Sequence, residues 1–276
     1  MKKKLMSAVA ILLVAFMIFA FAGCKEKTLS AEDVFAKVRE KMSDVSDIDT
    51  SLDMDISMEL KYGEGNETKQ TISATFDLKA KNVSSENPTV WIKLEANAMG
   101  EKQKGEMYIE DKISYVNENG EKYKQPVDES NKDDAFEDVD IEKLTKLIKD
   151  SLEDAKVEKN DDGDAVITVK ISGKKFMEVI AEATDEDFDE LEEAGINLDT
   201  DNFKLKFTVD EDNYLTKIEG TFGMKMTNPE EDDQEINISI KIKAEINNPG
   251  EAVEITPPAG YKNYPSRSEN GGWNEF

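Results

Sequence analysis

Between Leu52 and Tyr62 every second residue is apolar. Leu52, Met54, Ile56, Met58, Leu60 and Tyr62 alternate with Asp53, Asp55, Ser57, Glu59 and Lys61, which predicts a strand with one buried and one wet face. After a turn at Gly63-Glu64-Gly65-Asn66 the same period returns in Ile72, Ala74, Phe76, Leu78 and Ala80, and again in Val90, Ile92, Leu94 and Ala96. Shorter runs around 107–109, 113–115 and 121–124 extend the meander, with Asn119-Gly120 supplying hairpin chemistry. Further strands are expected at 156–160 and 164–171, joined by Asp161-Asp162-Gly163, then at 203–209, 214–226 and 235–246. The last is the cleanest, with isoleucine or alanine at every even position from Ile236 to Ile246. Connections this short make the neighbours antiparallel.

Four stretches have a helical period instead. Ser30-x-x-Asp33 reads as a capping box ahead of Val34, Val38, Met42 and Val45, which predicts a helix over about 31–46. Ile141, Leu144, Leu147, Ile148 and Leu152 share a stripe over 139–155. A third helix is expected over 174–183, and Thr184-x-x-Asp187 caps a fourth that ends near Gly195. The class is therefore α+β: a strongly curved antiparallel sheet, a half-barrel of about ten strands, with helices packed on its concave face. Ten strands some 30 Å long and about 4.8 Å apart present on the order of 1,400 Å², whereas four short helices cover roughly 800 Å². Curling lets such a sheet cover part of itself, leaving either a tight core or an apolar cavity. The candidate lining is Met54, Met58, Phe76, Ile92, Leu94, Met107, Phe222, Met224 and Met226. Methionine adapts to variable ligands, and it fills ordinary cores as readily.

Charge removes several functions. The 276 residues carry 35 basic and 61 acidic side chains and no histidine. Removing residues 1–23 takes away three lysines and no acid, leaving 32 basic against 61 acidic residues and a net charge of −29. Such a surface repels nucleic acid and anionic head groups. Without histidine the commonest general base and metal ligand is missing. Ser172-x-x-Lys175 has no accompanying hydrolase motif, and a capping serine beside a solvated lysine explains it. An EF-hand register set on Gly163 fails at its closing ligand, where Val169 stands in place of glutamate. Hairpin turns explain Asp161-Asp162-Gly163 and Asp210-Glu211-Asp212-Asn213 better. The reading is of a protein that is not an enzyme and needs no cofactor or metal.

The N-terminus adds an address. Lys2, Lys3 and Lys4 precede an uncharged run from Ala8 to Phe21, then Ala22-Gly23 and Cys24, the sole cysteine. The apolar run is short for a spanning helix, which needs about 20 residues, and has the layout of a secretory signal peptide. An uncut anchor, or an ordinary cleavage site followed by a buried cysteine, are the alternatives. Phe21-Ala22-Gly23-Cys24 resembles the lipobox of bacterial lipoproteins, which implies a diacylglyceryl thioether on Cys24 and a lipid anchor on the outer face of the cell membrane. Two acyl chains suffice for stable anchoring, and one does not. Residues 1–23 are then the signal peptide, 24–29 a lipidated tether, 30–260 the folded domain, and 261–276 a polar, disordered tail.

The capped helix behind Cys24, the long meander, the helical insertion and the closing strands together resemble the half-barrel of LolA/LolB-type carriers and LppX/LprG-type lipoproteins. The exit Val253-Glu254-Ile255-Thr256-Pro257-Pro258 looks like the closing segment of exported Gram-positive lipoproteins. That resemblance implies a concave face holding a lipid or lipopeptide. The competing reading is an interaction module with a filled core that engages an envelope protein or a sensor. In both, a monomer meets the membrane through Cys24.

Overall fold

The capping box forms as expected. In the computed structural model, which describes residues 30–62, 66–98, 100–127, 152, 155–174, 197–200, 203–228 and 234–267, helix α1 spans Ala31–Ser43, and Ser30 Oγ accepts from the Asp33 amide at 3.1 Å. The helix stops at Ser43 rather than 46, because Asp44 takes the cap, and the amides of Asp44 and Val45 turn back to the Lys41 and Met42 carbonyls. Its buried stripe is Ala31, Val34, Phe35 and Val38. Phe35, absent from the expected spacing, packs edge-on against Phe207 with ring centroids 5.2 Å apart.

Among the described residues twelve strands follow, rather than about ten. They are β1 (Ile48–Tyr62), β2 (Asn66–Lys81), β3 (Thr89–Ala98), β4 (Glu101–Glu110), β5 (Ile113–Glu118) and β6 (Glu121–Pro126). After these come β7 (Lys156–Lys159), β8 (Ala165–Ile171), β9 (Asn197–Thr200), β10 (Phe203–Val209), β11 (Leu215–Asn228) and β12 (Gln234–Ile246). All form one open, curved antiparallel sheet in the order β6-β5-β4-β3-β2-β1-β12-β11-β10-β8-β7, with β9 paired to β11. The first and last strands thus meet in the middle, Met54 opposite Ile242. No alternation announces β9, which pairs with β11 at Met224–Thr227, past the end of β10. Likewise β4 begins at Glu101, six residues before its apolar end at Met107, because β3 supplies hydrogen bonds back to Ala98.

Turn chemistry fixes the registers. Asn119 and Gly120 both have positive φ, 51° and 96°, as a two-residue type I′ hairpin requires. Asp111 and Lys112 do the same without glycine. The two acidic hairpins are alike: Asn160 holds Asp164 and Asp210 holds Tyr214 by side chain–amide bonds, both 2.8 Å, while Gly163 and Asn213 take the left-handed position. These clusters are turns, as expected.

One sheet face is apolar. Along β8, β10 and the adjoining ends of β11, β12 and β1 it forms the main core, in which Ile167, Val169 and Phe207 have no exposed surface. Helix α1 lies against this region, and Leu152 is buried in the same cluster. The helices expected over 139–155, 174–183 and 184–195 otherwise lie outside the described residues.

The segment after β12 corrects the expectation of a free tail as far as residue 267. It crosses the opposite face of the sheet, where Tyr261 and Tyr264 pack on Tyr108 and Tyr115, with Trp91, Ile113 and Ile255 alongside. Tyr108 and Tyr261 both donate to Glu110, at 3.2 and 2.7 Å. At the sheet edge Lys124 of β6 donates to the Pro265 carbonyl and accepts from the Arg267 amide, a parallel bridge centred on Ser266. This strap is held at its root, Val253, by Asp47, whose carboxylate accepts from the amides of Asn82 and Val253 at 3.0 and 3.1 Å.

Candidate functional site

Register places all nine candidate residues on the apolar face. Met54 opposes Ala74 and Ile242, Phe76 opposes Leu94, Ile92 opposes Met107, and Phe222, Met224 and Met226 oppose Ile240, Ile238 and Ile236. Their surroundings divide them. Phe222 and Met54 are buried, and Phe76 and Met224 pack against the main core. Ile92, Met107 and Met226 are half-buried. Met58 and Leu94 are exposed, at 37 % and 41 %, and Tyr62 at the end of β1 reaches 42 %.

The face therefore has a packed region and an open one. Of the apolar-face residues of β2 to β5, only Ala80 and Ser114 are buried. The open region continues onto the far ends of β1, β11 and β12, at Met58, Leu60, Met226 and Ile236. A large apolar patch left in contact with water marks an interaction site more often than a neutral surface. Physically, the region offers dispersion and hydrophobic contact with flexible side chains, and toward the β6 edge the same face carries Glu101, Glu118 and Glu121, in register with Ala98, Gly105 and Glu118.

Two hydroxyls break that apolar character. Thr50 on β1 and Ser114 on β5 are 6 % and 5 % exposed, and neither Oγ has a hydrogen-bond partner. Thr50 stands between Ile246 and Leu78. Ser114 stands between Ile109 and Gln125. Sequence reading passed over both; the available signal was a hydroxyl residue at an apolar-parity position.

The opposite face is polar and its charges are largely matched. Lys217 and Lys206 contact Glu219 at 3.0 and 3.5 Å, and Lys243 contacts Glu245 at 2.7 Å. A polar cleft of about 430 Å³ opens here, beside the β7–β8 turn, lined by Asp162, Asp164, Lys206, Lys217, Glu219 and Glu245. Its lysines already meet Glu219, so it offers no free cation to an anionic ligand. At the far end of the same face Glu235 is lowered to about 2 by hydrogen bonds from Lys225 and Asn237. Burial, with Glu110 beside it, holds the Tyr108 phenol above its ordinary range. Among the described residues no group of carboxylates could hold a metal ion, and no helix is long and apolar enough to cross a membrane. Cys24 and Lys175 lie outside the described residues.

A family model described as a family of unknown function, DUF6612, matches residues 30–264. No curated protein matches the chain. Among solved structures the chain is similar to LprF from Mycobacterium bovis, at 10 % identity and a TM-score of 0.41, over 83 % of this chain and 96 % of that one. It is also similar to a LolA-superfamily protein from Nitrosomonas europaea, at 10 % identity and TM-score 0.20, over 83 % and 96 % of the two chains. A third match is a putative outer membrane lipoprotein-sorting protein domain from Vibrio parahaemolyticus, at 12 % identity and TM-score 0.19, over 80 % and 93 %. The half-barrel lipoprotein types named from the order of elements thus occur among the matches. With every TM-score here below 0.5, a reading of the ligand rests on this chain's own residues.

Proposed function

The chain belongs to the DUF6612 family, whose function is unknown, and from that premise we propose that it is a membrane-anchored, extracytoplasmic lipoprotein that binds an apolar ligand, a lipid or lipopeptide, on the open part of its sheet face. The observation that carries this reading is the contrast along one face. The same alternation that buries Phe207 and Phe222 completely or nearly so leaves Met58 and Leu94 more than a third exposed. Met58, Ile92, Leu94, Met107 and Met226 are the contact residues, and Phe222, Met54, Phe76 and Met224 form the floor between that region and the core. Transfer of apolar surface from water stabilises by about 25 cal/mol per Å², so an acyl chain lying on this face gains affinity without any directional contact. The role is binding and presentation, not catalysis. Cys24 holds the protein at the outer face of the cell membrane, and a tether of residues 25–29, at about 3.5 Å each, keeps the domain close to the bilayer.

The test is made on protein expressed in a host that processes lipoproteins. Radiolabelled palmitate is expected to enter the wild type and not Cys24→Ser, which is expected to leave the membrane fraction. Native mass spectrometry of the purified chain is expected to show co-purifying lipid. A lipid-free protein that takes up no lipid from mixed vesicles would overturn the binding role, and equal labelling of wild type and Cys24→Ser would overturn the anchor.

A further inference from the structure

We propose that the open end of the apolar face docks on the bilayer that holds the anchor, so that an acyl chain passes from the outer leaflet onto the sheet without crossing water. This rests on the reading of an anchored lipid binder above, and adds the orientation of the domain and the partner of its open end, a lipid surface. Burial along the face falls in one direction on three neighbouring strands. On β1 the exposure rises from 8 % and 7 % at Leu52 and Met54 to 37 % at Met58 and 42 % at Tyr62. On β11 the buried Leu215, Ile218 and Phe222 give way to half-buried Met224 and Met226, and on β12 the buried Ile246 and Ala244 give way to half-buried Ile238 and Ile236. Register puts Met226, Ile236 and Leu60 in one row just beyond Met58, so the wet ends coincide.

The tether leaves toward that end. One row of the sheet runs Phe207, Ile218, Ala244, Leu52, and α1 meets it with Phe35 on Phe207. Lys41, six residues later in the helix, stands over the Tyr214 ring at 5.4 Å, where β11 leaves the acidic β10–β11 turn. The helix therefore runs toward that turn, and Ser30 lies on the other side of Phe35, toward the open end. Residues 24–29 have a reach of about 20 Å, roughly the rise of the strand from Leu52 to Met58, so Cys24 comes level with the open end. The opposite end of the sheet offers a membrane nothing apolar. The exposed large apolar side chains among the described residues are Met58, Tyr62 and, midway along β3, Leu94, whereas Asp161, Asp162, Glu211 and Asp212 stand exposed in the turns of the opposite end. Tyr62, an apolar ring with a hydroxyl at the tip of β1, is the residue type that settles at a membrane boundary. Glu101, Glu118 and Glu121 on the same face oppose an anionic leaflet, so the surface it fits is zwitterionic.

The test uses the full chain, lipidated on Cys24 and reconstituted in phosphatidylcholine vesicles, with one added cysteine carrying a polarity-sensitive fluorophore; the thioether leaves Cys24 unreactive. Tyr62→Cys and Met58→Cys probe the open end, and Asp212→Cys, exposed in the β10–β11 turn, probes the other. Emission from the first two is expected to shift to the blue and to be quenched by doxyl-labelled lipid, with the Asp212→Cys signal unchanged. Exchanging part of the phosphatidylcholine for phosphatidylglycerol is expected to reduce that quenching at low salt. Quenching at Asp212→Cys and not at Tyr62→Cys, or at neither end, overturns the inference, and quenching that grows with phosphatidylglycerol overturns the zwitterionic partner. Palmitate labelling and lipid uptake are measured on the same samples. Where both are positive, such a failure leaves the anchored binding role standing; where either is absent, that role falls and the orientation falls with it.

Discussion

The two sides of the sheet are braced from opposite faces. Around β8, β10 and β11 the support is on the apolar face, where α1 inserts Phe35 against Phe207 and seals the core. Around β3 to β6 it is on the polar face, where the strap lays Tyr261 and Tyr264 over Tyr108 and Tyr115. A sheet needs three or more strands and at least one packed face to be stable. Taking that packing from outside lets the open region keep its apolar face available. The difference also separates two meanings of an apolar side chain, which on the α1 side is interior and on the strap side is contact surface.

The largest test of this division is a pair of truncations. Phe207→Ala removes a ring with no exposed surface and is expected to cost about 3–5 kcal/mol. Leu94→Ala, on the same face at 41 % exposure, is expected to stay within about 1 kcal/mol. Urea unfolding monitored by circular dichroism measures both. Comparable losses would mean that the open region is interior after all.

A finer test adds one methyl group to each region. A Cβ built on Gly220 would sit 2.5 Å from Ile242 Cγ1, and the same atom on Gly105 meets only Leu94 Cβ, at 3.9 Å. Both glycines lie on the apolar face, opposite Ile242 and Leu94. Gly220→Ala is expected to lose about 1–3 kcal/mol through overpacking. Gly105→Ala is expected to be neutral or to gain about 0.5 kcal/mol from the reduced freedom of the unfolded chain. Thermal melts of the two variants decide it, and a penalty at Gly105 matching that at Gly220 would erase the contrast.

The alternation was readable because a period of two is local: Leu52 to Tyr62 and Ile236 to Ile246 declare their face without knowing their partners. That these two strands pair with each other was not readable, since 174 residues separate Lys61 from Glu235 and no local signal spans that distance. The strap was missed because it reads as polar sequence. Its signal lies elsewhere, in Trp91, Tyr108 and Tyr115, three aromatics at wet-face positions of their strands that call for a cover. Phe35 was missed because it flanks Val34 and falls outside a strict one-stripe spacing, although a helix under a wide sheet buries a broader stripe. The nine candidates were placed on one face by parity alone. What parity could not give was which of them lie under α1, because that depends on the crossing of the helix and not on any strand.

The smallest expected effect concerns the joint where the two bracing schemes meet. Asp47 sits between α1 and β1, and its carboxylate holds the Asn82 amide of the β2–β3 turn and the Val253 amide at the root of the strap. These two backbone hydrogen bonds, opposed in part by desolvation, lower its pKa below the ordinary carboxylate value of 3.8. A carboxyl whose folded pKa is depressed contributes stability that is fully present above the unfolded value and is lost as pH falls through the folded one. The contribution of Asp47 is therefore complete at neutral pH and fades on acidification below about pH 4. Asp47→Asn keeps one acceptor oxygen for two donors, so it is expected to cost about 1 kcal/mol at neutral pH and nothing further as the pH drops. Hydrogen exchange gives the decisive reading. Faster exchange in β4 to β6, with β8 and β10 unchanged, means the strap braces its own side alone, and uniform loosening of the whole sheet would show that the two sides share one support.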